Sequence, residues 1–173
     1  MAGYGPNSSC HPKSERAPVP RILALIVLLS GLLTAPLSHA VDVPPLTDLR
    51  ADLAEAGERN IPVLVLFHTH GCGYCHYVME DHLQPMVLSG QYVDRALLRQ
   101  INVGDNDVLV DQDGREVEAG DFARRMKVRF FPTVLILGPD ARVLAEPLIG
   151  VANIDLYGTQ LEYALQEAEA QLR

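Results

Sequence analysis

Residues 63–77 read VLVLFHTHGCGYCHY. An unbroken apolar run, part of a stretch placed at 61–69, is the pattern of a strand covered on both faces. It leads directly into Cys72-Gly73-Tyr74-Cys75. After it, Cys75, Met79 and Leu83 recur at helical spacing, and Pro85 is expected to interrupt that helix. The layout is a pair of thiols at the start of a helix, at the end of a buried strand. Cys75 stands at i+3 from Cys72, so both sulfurs share one helix face. Cys75 is expected to point inward.

The placement matters because thiol–disulfide exchange needs a thiolate, and a free cysteine is mostly protonated at neutral pH. Unpaired N–H groups and the dipole at a helix start favour the anion at Cys72. The steps follow from this. Cys72 attacks a disulfide, and Cys75 then attacks the mixed disulfide and releases the reduced substrate. Gly73 and Tyr74, between the cysteines, bear on the redox potential. His76, one turn beyond Cys72, either stabilises the thiolate when protonated or is a solvated surface residue.

Two rivals share the motif. With His76 it reads C-x-x-C-H, the attachment pattern of c-type haem, with Met79, Met86 or Met126 as further ligands. Against haem, the motif follows a buried strand, whereas small c-type cytochromes are mostly helical. A zinc or copper(I) module would use the cysteines with His68, His70, His76 or His82. But the first two alternate along a strand and the others lie on a helix, so they need not converge. Neither metal nor cofactor is expected. Asp105, Asp107, Asp111 and Asp113 depart from the EF-hand spacing and read as hairpin-loop acids.

The rest of the chain gives the address. Lys13, Arg16 and Arg21 precede an apolar run at 22–33, and Ser38 and Ala40 place small residues at −3 and −1 of a cut after Ala40. This reads as a secretory signal peptide over 1–40, with a membrane anchor as the alternative; the run is short for a span of about 20 residues. Cleavage removes Cys10, one of three cysteines, and leaves the C-x-x-C alone in an oxidising compartment, the periplasm or the exterior. So short a loop removes little chain entropy, which argues against a structural staple. The remaining chain has 11 Lys+Arg against 21 Asp+Glu, a net of −10. That excludes nucleic acid as a natural partner.

Residues 41–46 are read as a linker and 47–173 as one domain. A helix is expected over 46–58, ended by Gly57, and a second buried strand over 96–103. The polar stretch 104–120 holds an Asp113-Gly114 hairpin signal between two short strand-like runs. One or two helical turns are expected over 121–126. Phe131-Pro132-Thr133 opens a strand at 134–137, Pro139-Asp140 turns the chain into another at 142–146, and Asn153 caps a last helix with Ile154, Tyr157, Leu161, Leu165, Ala168 and Leu172 on one face. The order is α/β: a mixed sheet with helices on both sides and a small β-hairpin insertion.

Across most of residues 46–172 this sequence resembles the thioredoxin superfamily. The resemblance rests on the strand into CGYC, on Phe131-Pro132-Thr133, and on Gly150 before the last helix. It implies a thioredoxin fold and a cis Pro132 facing the dithiol, with Phe131, Pro132 and Thr133 offering backbone to a protein disulfide substrate. It is closest in look to exported proteins of the SoxW type, and the CGYC is similar to that of periplasmic disulfide isomerases. Family analogy implies a membrane thiol-transfer protein as electron donor. The site looks more like a reductase or isomerase than a dedicated oxidase. Cytoplasmic thioredoxins carry a buried Asp six residues before the first cysteine and a Trp just before it; Leu66 and Gly71 stand there instead.

Overall fold

The computed structural model describes residues 42–173. The predicted signal peptide and Cys10 lie outside the described residues.

Helix α1, Leu49–Arg59, starts where Asp48 accepts the Ala51 N–H at 2.9 Å, supplying one donor of the open first turn with a partner. It passes through Gly57, contrary to expectation. The stop is Asn60, in the left-handed region at φ 53°, whose N–H returns to the carbonyls of Ala56 and Gly57. Strand β1 is Val63–His68. Helix α2, Gly73–Val78, continues through a π turn, Met79–Leu83, into α3, Gln84–Ser89. Pro85 therefore does not end the helix. A proline in a regular helix clashes with the carbonyl four residues back. The widened turn, in which the Gln84 N–H reaches the Met79 carbonyl, makes room just before it.

Strand β2, Leu97–Asn102, is followed by the hairpin β3, Val108–Val110, and β4, Glu116–Glu118, then by α4, Ala119–Arg125. Strand β5, Thr133–Leu137, and β6, Leu148–Ile149, precede α5, Ile154–Gln171. Residues 142–146 do not form the expected strand. They make a single bridge, Val143 to Leu137, and the ladder resumes only at Leu148. Pro147, with no N–H, cannot donate to a ladder at that point.

The main sheet runs β2-β1-β5-β6, with β1 and β2 parallel and the other pairs antiparallel. Alternation along β1 explains its unbroken apolar sequence. Val63, Val65 and Phe67 join Leu49 and Leu53 of α1 and Phe122 of α4 in one core layer. Leu64 and Leu66 join Val78, Leu83, Tyr157 and Leu165 in the other, against α2, the π turn and α5. Ile154, expected on the inner face of α5, is exposed; it lies in the first turn, beyond the sheet.

The segment read as a linker is packed. Leu46 N–H bonds to the Gln100 carbonyl at 2.8 Å and Gln100 N–H to Pro44 at 3.0 Å. Val43 and Leu46 are buried, one in each core layer. Among the described residues no helix is long and apolar enough to cross a membrane.

Asp111, read as a loop acid, is fully buried. It accepts the N–H groups of Arg115 and Asp113, each at 2.9 Å, and pairs with Arg125 at 2.9 Å. The Arg115 N–H, then Arg125 and the Asp113 N–H, hold its carboxyl below the usual carboxylate range against the opposing effect of burial. A depressed folded-state pKa gives stability that is present above the unfolded value and lost as pH falls through the folded one. We therefore expect Asp111→Asn to melt several degrees lower than wild type at pH 6, and that gap to narrow by pH 3. Thermal unfolding followed by circular dichroism checks this; a gap constant with pH counts against the assigned role.

Candidate active site

The site sits at one end of the sheet. Register places the end of β1 beside the start of β5 through Phe67 and Thr133, beside the end of β2 through His68 and Asn102, and places Ile149 opposite Thr133. The loops after β1 and β2, before β5 and after β6 therefore open at the same end.

Leaving β1, the chain turns at Gly71, in the left-handed region at φ 67° with open space where a Cβ would stand. The requirement is conformational, and a tryptophan there would be strained. Cys72 is the N-cap of α2, in extended conformation, and its Sγ accepts the Cys75 N–H at 3.2 Å. Its carbonyl takes the Cys75 and His76 N–H groups at 3.0 and 3.2 Å. Cys72 is half-buried and Cys75 only 3% exposed. The two form a disulfide with Cα atoms 5.2 Å apart. Cys72 is thus partly open to solvent, with Cys75 buried beside it. After reduction, the N–H that meets Cys72 Sγ is a donor for a thiolate at that atom.

Tyr74 is 54% exposed and Gly73 is exposed. His76 is exposed and lies 3.6 Å from Glu80, on the solvent side of α2. The Phe131–Pro132 peptide is cis. Pro132 and Thr133 are buried and Phe131 half-buried. Thr133 Oγ1 donates to the Phe130 carbonyl at 2.8 Å, and Gly150 N–H to the Pro132 carbonyl at 2.7 Å. These bonds tie the proline turn to the loop after β6. Phe130 (67% exposed) and Ile149 (60%) add apolar surface at this end.

The four histidines among the described residues have four different neighbours. His68 bonds Gln100. His70 lies 2.9 Å from Asp105 and 2.7 Å from Asn102, and His76 is beside Glu80. His82, in the π turn, meets the Tyr77 hydroxyl at 2.8 Å. Because that hydroxyl donates to the Ile154 carbonyl at 2.8 Å, it accepts from His82 Nε2. Burial lowers the His82 pKa, with Asp81 opposing. The Tyr77 hydroxyl thus ties the dithiol helix to the start of α5, with the His82 imidazole bonded to it. Sequence reading weighed His82 only as a metal ligand and gave Tyr77 no role; His82 at five residues past Tyr77 fits no regular helical contact, and only the π turn brings them together. A cleft of about 260 Å³ beside the dithiol is lined by Cys75, His68, His70, His76, Glu80 and Asp42 among others.

Comparison with known proteins places this geometry. The chain is similar to the thioredoxin-like protein CITRX, chloroplastic, of Solanum tuberosum, with 34% identity over 85 residues, 49% of this chain and 39% of the relative. The match thus spans about two-fifths of the length of that relative. Among solved structures it is similar to mitochondrial thioredoxin 3 from Saccharomyces cerevisiae (22% identity, 72% of this chain and 94% of that one, TM-score 0.47). It is also similar to the periplasmic thioredoxin SoxS from Paracoccus pantotrophus (18%, 62% and 98%, TM-score 0.41). A family model described as a thioredoxin-like domain matches residues 49–165, a span that contains Cys72, Cys75 and Pro132. With a mixed sheet between two helical layers and that match over most of its length, the chain belongs to the thioredoxin-like domain family and has a thioredoxin fold.

Proposed function

We propose that the protein is an exported thiol–disulfide oxidoreductase, acting in the periplasm as a reductase or isomerase of protein disulfides. The observation that carries this is the asymmetry of the pair: Cys72 half-exposed at the helix start, Cys75 buried behind it. Cys72 is the attacking thiol and Cys75 the resolving one. Phe131, Pro132 and Thr133 present backbone to the substrate segment, and exposed Tyr74, Phe130 and Ile149 give a polypeptide apolar contact. Gly73, Tyr74 and His76 modulate the thiols. The leader over residues 1–40 supports export, after which the domain works without its signal. A membrane thiol-transfer protein supplies electrons, as expected of a reductant in an oxidising compartment. The reading extends to likeness with exported proteins of the SoxW type and, in CGYC, with periplasmic disulfide isomerases.

Direction is a matter of potential. For a two-electron couple about 30 mV corresponds to about 1.4 kcal/mol. We expect equilibration with glutathione to give a value between roughly −270 and −180 mV, the range spanned by thioredoxin and protein disulfide isomerase, together with turnover of insulin disulfides. A value near about −120 mV, that of a dedicated oxidant, would refute the reductase assignment.

A further inference from the structure

The resolving step demands something the dithiol does not supply. Cys75 is 3% exposed, and burial disfavours the charged form of a thiol. To attack, it must lose its proton to a base at the moment the mixed disulfide is in place. The cleft beside it decides which group can take that proton. Its lining contains His68, His70, His76, Glu80 and Asp42 together with Cys75. His70 is committed to Asp105 and Asn102. His76 and Glu80 stand toward solvent, 66% and 63% exposed, beside each other. Asp42 already accepts the Val43 N–H at 2.8 Å and faces Gln84 at 3.4 Å.

His68 is different. It ends β1 on the same face as Leu66, the face that looks toward α2 and Cys75. It is half-buried and pairs with Asn102 of β2 at the end of β1. Its Nε2 bonds the Gln100 side-chain oxygen. That oxygen accepts, so Nε2 donates, and in the neutral ring Nδ1 holds the lone pair. Leu66 places no acid on this face between His68 and the core.

We propose that His68 is the proton acceptor for Cys75 in the resolving step, working through water in the shared cleft and held by Gln100. This rests on the exchange reading above. The Cys75 S–H gives its proton, by way of water, to His68 Nδ1. The Cys75 thiolate attacks Cys72 Sγ, forming the Cys72–Cys75 bond. The Cys72–substrate S–S bond breaks, and its electron pair leaves on the substrate sulfur. His68 then returns the proton to that sulfur or to solvent. The dithiol is oxidised by two electrons and the substrate disulfide reduced by two. An imidazole suits this because one ring nitrogen can take a proton while the other keeps its hydrogen bond.

The test is stopped-flow reaction of the reduced protein with 5,5′-dithiobis(2-nitrobenzoate) from pH 5 to 9. A first release of chromophore reports attack by Cys72, and a second reports resolution by Cys75. We expect His68→Gln to leave the first phase unchanged. It should slow the second by at least about tenfold near pH 7, with the gap closing toward pH 9 as the thiol ionises unaided. Gln100→Leu, which keeps the imidazole but frees it, should give a smaller slowing with the same pH shape. His70→Gln should leave the profile as in wild type. A second phase in His68→Gln with wild-type rate and pH dependence overturns the proposal, as does slowing by one factor at every pH or slowing of both phases together. Release of only one equivalent of chromophore by wild type would instead remove the exchange reading on which the proposal stands.

Discussion

We expect Cys72→Ser to reduce insulin no faster than the uncatalysed background, and Cys75→Ser to accumulate a covalent complex with its substrate. These outcomes separate the roles of the two sulfurs. Cys72 is half-buried at the N-cap, where its Sγ meets the Cys75 N–H. A serine there accepts the same hydrogen bond, so the helix keeps its cap, but its hydroxyl stays protonated at neutral pH and forms no bond to a disulfide sulfur. Fold should be retained and activity lost. In Cys75→Ser the attacking sulfur and its N–H donor remain. Mixed disulfides still form, and with no second thiol at i+3 they resolve only by external thiols. Non-reducing electrophoresis followed by reduction checks this: the added mass should appear with Cys75→Ser and be absent from Cys72→Ser. Equal trapping by both variants, or wild-type insulin reduction by Cys72→Ser, would defeat the assignment of roles.

Much of this site was legible because its signals are local. An apolar run running into C-x-x-C needs no tertiary knowledge to imply a strand, a sharp turn and a helix start. The apolar pattern also reported the two-sided burial of β1, since Val63 to Phe67 alternate between two core layers that both need hydrophobic residues. What was hidden depends on contacts distant in sequence or on a local geometry outside the standard repeats. Residues 42–46 carry two prolines and look like a spacer, yet the Pro44 carbonyl and Leu46 N–H meet Gln100, which composition cannot show. Pro85 reads as a stop in any regular helix, and only the π turn before it lets the helix continue. Asp111 resembled its neighbouring acids because burial and the Arg125 partner are properties of the folded hairpin. The part of His68 was likewise invisible: its tie to Gln100 arises from the parallel pairing of β1 with β2, and its nearness to Cys75 from a cleft that several elements build together.

Leu66→Asp carries the largest stability effect expected here and tests the apolar character of the site's floor. Leu66 is fully buried at the centre of the sheet, paired in register with Gln100 of β2 and Val134 of β5. Its neighbours in the core layer include Val78, Leu83 and Tyr157. Removing a buried leucine costs about 2–5 kcal/mol. Placing a carboxyl in the space without an assured partner adds roughly 1–3 kcal/mol even when it stays neutral. A domain of this kind is stable by about 5–15 kcal/mol in total, so the variant should unfold at much lower urea concentration. The pH dependence gives the diagnostic sign. Burial raises a carboxyl's pKa, so the folded variant holds its proton to higher pH than the unfolded chain does. Stability then falls as pH rises from the unfolded value, about 3.9, through the folded one. Relative to wild type, the deficit should therefore be larger at pH 8 than at pH 5. Urea unfolding at both pH values measures it. A midpoint matching wild type at pH 8 would mean that this position is wet, and that the buried layer beneath the dithiol is not the apolar one that Leu66 and its neighbours form.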